Sequence, residues 1–138
     1  VSALVEALVA AQAELPCAIG KDAEGQIGTR KYGYLTLDKL IAETRPILQK
    51  HGLTIMQWPM YDKRGEDGAM PVLRTVIKHV SGEYAAHSMP LYLTDKTMQG
   101  LGAAITYARR YAWQSVLGIA AEDDTDGPAP TPTEEVPF

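Results

Sequence analysis

MQGLGAAITYARRYAWQSVLG, residues 98–118, begins with small side chains and runs on through two adjacent arginines set among aromatic rings. Leu101, Ile105, Ala108, Ala112 and Val116 recur at the three- and four-residue spacing of one helical face, which predicts a helix. Gly100, Gly102, Ala103, Ala104 and Ala108 would let another backbone come close to it. At about 100° per residue, Arg109 and Arg110 fall on neighbouring flanks, with Thr106 one turn before Arg110 and Trp113 one turn after Arg109. Guanidinium grips phosphate in a bidentate fork and a ring can stack a base, so the strip suits a polyanion. Two solvated arginines on an ordinary surface helix would give the same pattern. Thr94 or Asp95 is placed to cap the helix, and Lys96, Thr97 and Gln99 fall in its first turn, where backbone N–H groups attract phosphate.

Upstream, Leu53–Trp58 alternates as a strand. Tyr61–Gly68 is predicted to be a flexible hairpin loop, and Val72–Val80 and Glu83–Leu91 are strands joined by a turn at Ser81-Gly82. This is a three-stranded antiparallel β-meander. Val72, Arg74, Val76, Lys78 and Val80 share one side of their strand, and Leu73, Thr75, Ile77 and His79 the other. Arg74 and Lys78 are therefore a candidate second wall for a DNA groove, with Lys63 and Arg64 at the loop tip within reach of a strand.

A helix is predicted from Leu37 to about His51, capped by Thr36, stopped by Gly52, and facing inward with Leu37, Leu40, Ile41, Thr44 and Leu48. Pro46 should kink or split it, because its ring removes a donor and clashes one turn back. Residues 3–15 form an amphipathic helix with Leu4, Leu8, Ala11 and Leu15 on one stripe, Ser2 as cap and Pro16 as terminator. Cys17–Lys31, with three glycines, reads as a loop. Tyr32 and Tyr34 after it are candidates for either core packing or base stacking, and the fold class is α+β, with N-terminal helices, the meander and then a long helix.

The run GAAITYARRYA (102–112), the LGIAAEDDTDG segment (117–127), KYGYLTLDKLIAETRPILQKHGL (31–53) and the Leu91–Gln99 approach together resemble the essential recombination function (ERF) family of phage single-strand DNA annealing proteins. The resemblance covers most of residues 2–127, with one departure at Ala103, where the family often carries serine. It implies a β-β-β-α core similar to that of the eukaryotic annealing recombinases, assembled in rings or helical arrays. It also implies single-stranded DNA and the annealed duplex intermediate as partners.

The 138 residues suffice for one domain able to bury roughly 68% of its unfolded surface. The formal charge of −4 is unevenly placed: six of the 17 acids follow residue 121, leaving 13 bases against 11 acids and a net of +2 over residues 1–121. A weakly basic body with an acidic tail fits a nucleic-acid binder with an interaction segment. The single cysteine, Cys17, excludes an internal disulfide and fits a reducing cytoplasm; the family resemblance implies that this is the cytoplasm of a bacterial host, with the gene carried by a phage or prophage. No apolar run is long enough to span a membrane.

Gly20-Lys21 lacks the glycine five residues earlier and the hydroxyl residue after the lysine that a Walker A loop requires, so neither ATP hydrolysis nor any cofactor is expected. Residues 122–138 read as a disordered, proline-rich tail beyond a domain at 1–121. Glu122, Asp124, Asp126 and Gly127 imitate the start of a calcium loop, but its twelfth position falls on Thr133 and prolines forbid the exiting helix. The last residues, Glu134, Glu135, Val136, Pro137 and Phe138, resemble the tip by which bacterial single-stranded DNA-binding proteins recruit partners, which makes host replication or recombination proteins candidate partners.

These observations favour ATP-independent binding and annealing of single strands. Arg109, Arg110 and Lys96 would hold phosphates in a groove between helix and sheet, helped by Thr106 and Gln99. Two rivals stand beside it. A metal-dependent nuclease would act through Asp123, Asp124 and Asp126, and a passive coating or adaptor protein would act through the tail.

Overall fold

A computed structural model of the chain describes residues 2–63 and 70–122. Helix α1 (Ala3–Glu14) is followed by strands β1 (Ala18–Ile19), β2 (Ala23–Ile27) and β3 (Arg30–Tyr34) and by helix α2 (Leu37–Lys50). Strands β4 (Leu53–Asp62), β5 (Met70–His79) and β6 (Tyr84–Pro90), helix α3 (Met98–Leu117) and the short β7 (Ala120–Ala121) complete the order. The fold is α+β. The main sheet is antiparallel in the order β4-β5-β6, β2 and β3 make a separate antiparallel hairpin, and β1 pairs with β7 in parallel.

The three helices cover one face of the main sheet. Leu53 and Ile55 of β4 and Ile77 of β5 point into a cluster with Leu4, Ala7 and Ala11 of α1, Leu40 and Leu48 of α2, and Trp113 and Leu117 of α3. Farther along the sheet, Leu73 packs against Ala108 and Ala112 of α3, with Met89, Leu101 and Ile105 at the margin. The alternation read from the sequence thus has a definite sense: the odd-numbered residues of β4 and β5 face the helices and the even-numbered ones, Arg74 and Lys78 among them, face away.

Several expectations need correction. Residues 17–31 were expected as loop, but 23–27 and 30–34 pair over five residues in each strand. Gly28, at φ 62°, makes the turn, and Gly25 lies so close under its cross-strand partner Tyr32 that a Cβ there would come within 2.5 Å of the ring. Of the two expectations for Pro46 the split does not occur, since helix α2 is continuous from Leu37 to Lys50. Pro46 and Ala42, one turn earlier, are both exposed, so the carbonyl left without a donor lies on the solvent side. The cap of α3 is Thr97, whose hydroxyl accepts from Gly100 N at 3.0 Å while donating to the Asp95 carboxylate. Asp95 supports the cap instead of being it, and Gly100 is small because a side chain there would collide with Asp95.

Trp113 is not part of a surface strip. It is 2% exposed, and its indole N–H donates to Thr44 Oγ1 at 2.9 Å, while the Thr44 hydroxyl donates to Leu40 O at 2.8 Å. The buried stripe of α3 is centred on Ala108, Ala112, Trp113 and Leu117, and Leu101, Ile105 and Val116 are only half-buried.

The ends of α3 and the base of the hairpin carry two testable consequences. Gly118 closes α3 at φ 68°, and Ile119 N donates to Gln114 O at 3.0 Å. Gly118→Ala should therefore cost about 1 kcal/mol in chemical denaturation, the penalty of a left-handed residue with a Cβ. Asp22 fastens the hairpin to the start of α2, accepting from Thr36 N at 2.8 Å and Thr36 Oγ1 at 2.6 Å. The Thr36 hydroxyl and amide hold the Asp22 carboxyl below its usual 3.8. Because the folded value is depressed, the stabilisation is complete above about pH 4 and is lost as pH falls through the lower folded value. The thermal midpoint should fall on acidification below about pH 4, and Asp22→Asn should flatten part of that dependence.

Candidate nucleic-acid interface

A groove of about 590 Å³ separates the β2-β3 hairpin from the exposed flank of α3. Strand periodicity puts Tyr32 and Tyr34 on the same side of β3, their rings tilted at 44° with centroids 6.2 Å apart. Helical periodicity brings Ala103, Thr106, Tyr107 and Arg110 to the opposite wall. Tyr111 lies behind, with its ring centroid 4.6 Å from that of Tyr107.

Arg110 is the centre of the groove. Its Cζ lies 5.1 Å from the Tyr34 ring centroid, 5.4 Å from Tyr107 and 5.3 Å from Tyr111. A guanidinium within about 6 Å of a ring centroid is attracted by the ring's negative face, so hairpin and helix hold this side chain jointly. Burial, followed by the neighbouring Tyr107, pushes the Tyr111 phenol up to about 12, against the opposing pull of Arg110. The cation is permanent and that phenol is neutral at physiological pH. No carboxylate among the described residues pairs with Arg109 or Arg110.

Arg109 turns the other way. Its Nε donates to Gln57 Oε1 at 3.3 Å, and Gln57 Nε2 donates to Arg109 O at 3.1 Å and Thr75 Oγ1 at 3.2 Å. This clamp joins α3 to the main sheet and leaves Arg109 in a shallower hollow that it shares with Tyr34, Thr106 and Arg110. Gln99 extends the stripe of Ala103, Thr106 and Arg110 toward the start of α3 at intervals of four and three residues. Lys96 is exposed just before the cap. At 1.5 Å per residue, Gln99 is about 17 Å along the axis from Arg110, so the two could touch the same strand but not the same phosphate.

The structure does not bring every expected residue to this groove. Arg74 and Lys78 lie on the face of the sheet turned away from the helices, so they cannot form its second wall; the hairpin does. Lys63 is exposed beyond the end of β4. Arg64, the tail residues Glu134, Glu135, Val136, Pro137 and Phe138, and the acids Asp123, Asp124 and Asp126 lie outside the described residues. Lys21, whose stem would lie 3.3 Å from a Cβ on Gly33, lines the groove as well, although the sequence singles it out only as the lysine of an incomplete Walker A match. Gln57 gave no sequence signal, because its role depends on which helix crosses it. Among the described residues no three His, Cys, Asp or Glu side chains gather as metal ligands.

A model built from a known family matches residues 4–136, almost the full length, and both walls of the groove lie inside that span. The chain belongs to the ERF superfamily. No curated protein and no solved structure matches it. Membership in the ERF superfamily implies a phage recombination or annealing type of function. In this ERF protein no helix among the described residues is long and apolar enough to cross a membrane.

Proposed function

We propose that the chain binds single-stranded DNA along the groove between the β2-β3 hairpin and α3. It then anneals complementary strands in homologous recombination without ATP. The observation that carries this reading is Arg110, a permanent cation with no carboxylate partner among the described residues, held by Tyr34, Tyr107 and Tyr111 in a groove lined by hydroxyl and aromatic groups. A guanidinium fixed in this way has little rotamer freedom left to lose when it meets a phosphate. Tyr32 and Tyr107 offer ring surface on which bases can stack. Once two strands meet, pairing drives the reaction, since stacking contributes about 1.4 kcal/mol per base-pair step.

A single protomer makes few phosphate contacts, and we take the active species to be an oligomeric ring or helical assembly that repeats the groove along a strand. The β4-β5-β6 meander followed by α3 corresponds in this reading to the annealing-protein core, residues 122–138 to a partner-binding tail, and the bacterial cytoplasm to the place of action. The protein is then a strand-pairing factor and not an enzyme.

The test is a time course of duplex formation between complementary oligonucleotides without nucleotide triphosphate and with magnesium present, alongside electron microscopy of the protein with and without DNA. Faster pairing and DNA-dependent assemblies support the reading. Strand cleavage would point to a nuclease, and slower pairing to a coating protein.

A further inference from the structure

The main sheet has a second face that the groove does not use. Along β4, β5 and β6 its positions are the even-numbered residues 54–60, 72–78 and 84–90, and none of them is acidic. Two are cationic, Arg74 and Lys78, both on the central strand β5, and no carboxylate among the described residues pairs with either. Trp58, 45% exposed, is the cross-strand partner of Arg74, and Tyr84, 59% exposed, that of Lys78. The nearest acid in register, Asp62, sits at the end of β4 opposite Met70. Glu83 is engaged with α1, accepting from Ser2 Oγ at 2.7 Å and Leu4 N at 3.3 Å.

We propose that this outer face is a second binding surface for single-stranded DNA, separate from the Arg110 groove and on the opposite side of the sheet. This rests on the annealing reading above, which requires two strands to be handled and gives the groove only one. Val72 and Val76, which alternate with the two cations, are buried, whereas Trp58, Tyr84 and Lys78 are exposed around them; exposed rings beside cations on a sheet are how single strands are bound without sequence preference, the cations taking phosphates and the rings bases. Trp58, Tyr84, Met60 and Arg74 are side chains that protein interfaces also use; what favours a polyanion is the charge, two cations on the middle strand and no acid among the face's positions in 54–60, 72–78 and 84–90. A strand held here raises the local concentration of the second strand near an assembly already loaded with the first.

Tryptophan fluorescence separates the two surfaces. The chain has two tryptophans, and Trp113 is buried while Trp58 is exposed, so long-wavelength emission reports Trp58. Titrating the full chain with oligothymidylate should quench that emission, and the quenching should persist in Arg110→Ala. Arg74→Ala/Lys78→Ala should abolish it while a labelled strand still binds, by anisotropy, with reduced stoichiometry. Trp58→Ala should weaken capture of a second strand by preloaded protein about fivefold or more, and Trp58→Phe should restore much of it. If no strand binds the wild-type chain, the functional reading fails and takes this inference with it. If strands bind but Trp58 emission is unmoved, only the second surface is overturned. A blue shift of Trp58 with protein concentration alone, insensitive to DNA, also overturns it and makes the face a contact between copies.

Discussion

Arg110→Ala is expected to weaken single-strand binding about tenfold to a hundredfold, with equal loss for every sequence. A hydrogen bond to a charged group contributes about 1.5–3 kcal/mol, and each 1.4 kcal/mol is a factor of ten in affinity. The logarithmic salt dependence should shallow by roughly 0.7 for each phosphate contact removed on single strands. Arg110→Lys keeps the charge but loses the planar fork held among Tyr34, Tyr107 and Tyr111, so it should fall between wild type and alanine. The half-exposed side chain can be removed without opening the core, and the circular dichroism spectrum should not change. The Arg110 contact should also be nearly independent of pH between about 6 and 10, because arginine does not titrate there and the Tyr111 phenol is held up to about 12. Unchanged affinity and unchanged fold would move the binding site elsewhere.

Trp113→Ala should cost about 3–5 kcal/mol, the range for truncating a buried aromatic. That is a large share of the stability of a domain this size. Trp113 packs where α1, α2 and the sheet converge, and its loss empties the middle of the main cluster. The indole hydrogen bond can be examined separately. Thr44→Val removes the acceptor and leaves a buried N–H alone, costing about 1–3 kcal/mol. Trp113→Phe with Thr44→Val removes both partners and should cost less than the sum of the single changes. Urea denaturation of the set measures each difference, and strictly additive costs would show that the bond contributes nothing.

Most of the framework could be read from residue patterns because it rests on long periodic segments. The 20 residues of α3 and the alternation in β5 leave little choice of conformation. The hairpin was missed for a physical reason. Ala23–Ile27 alternates only faintly, with Ala23, Gly25 and Ile27 against Glu24 and Gln26 and a single large apolar side chain, and its pairing depends on Gly25 lying under Tyr32 and on Asp22 reaching Thr36, both of which link residues distant from the local pattern. Alternation put Arg74 and Lys78 on one side of their strand correctly, yet could not tell which side the helices cover. Arg109 and Arg110 looked equivalent in sequence, and only the positions of Gln57 and Tyr34 separate a clamp from a presented cation.

The three phenol rings gathered around Arg110 also limit how anything can approach it. Tyrosine stands on both sides of the groove, Tyr34 on β3 and Tyr107 and Tyr111 on α3, so whatever meets the guanidinium must reach it between those rings. In the annealing reading proposed above, a cation so placed meets the repeating diester whatever the base, which suits a protein working on any pair of matching strands.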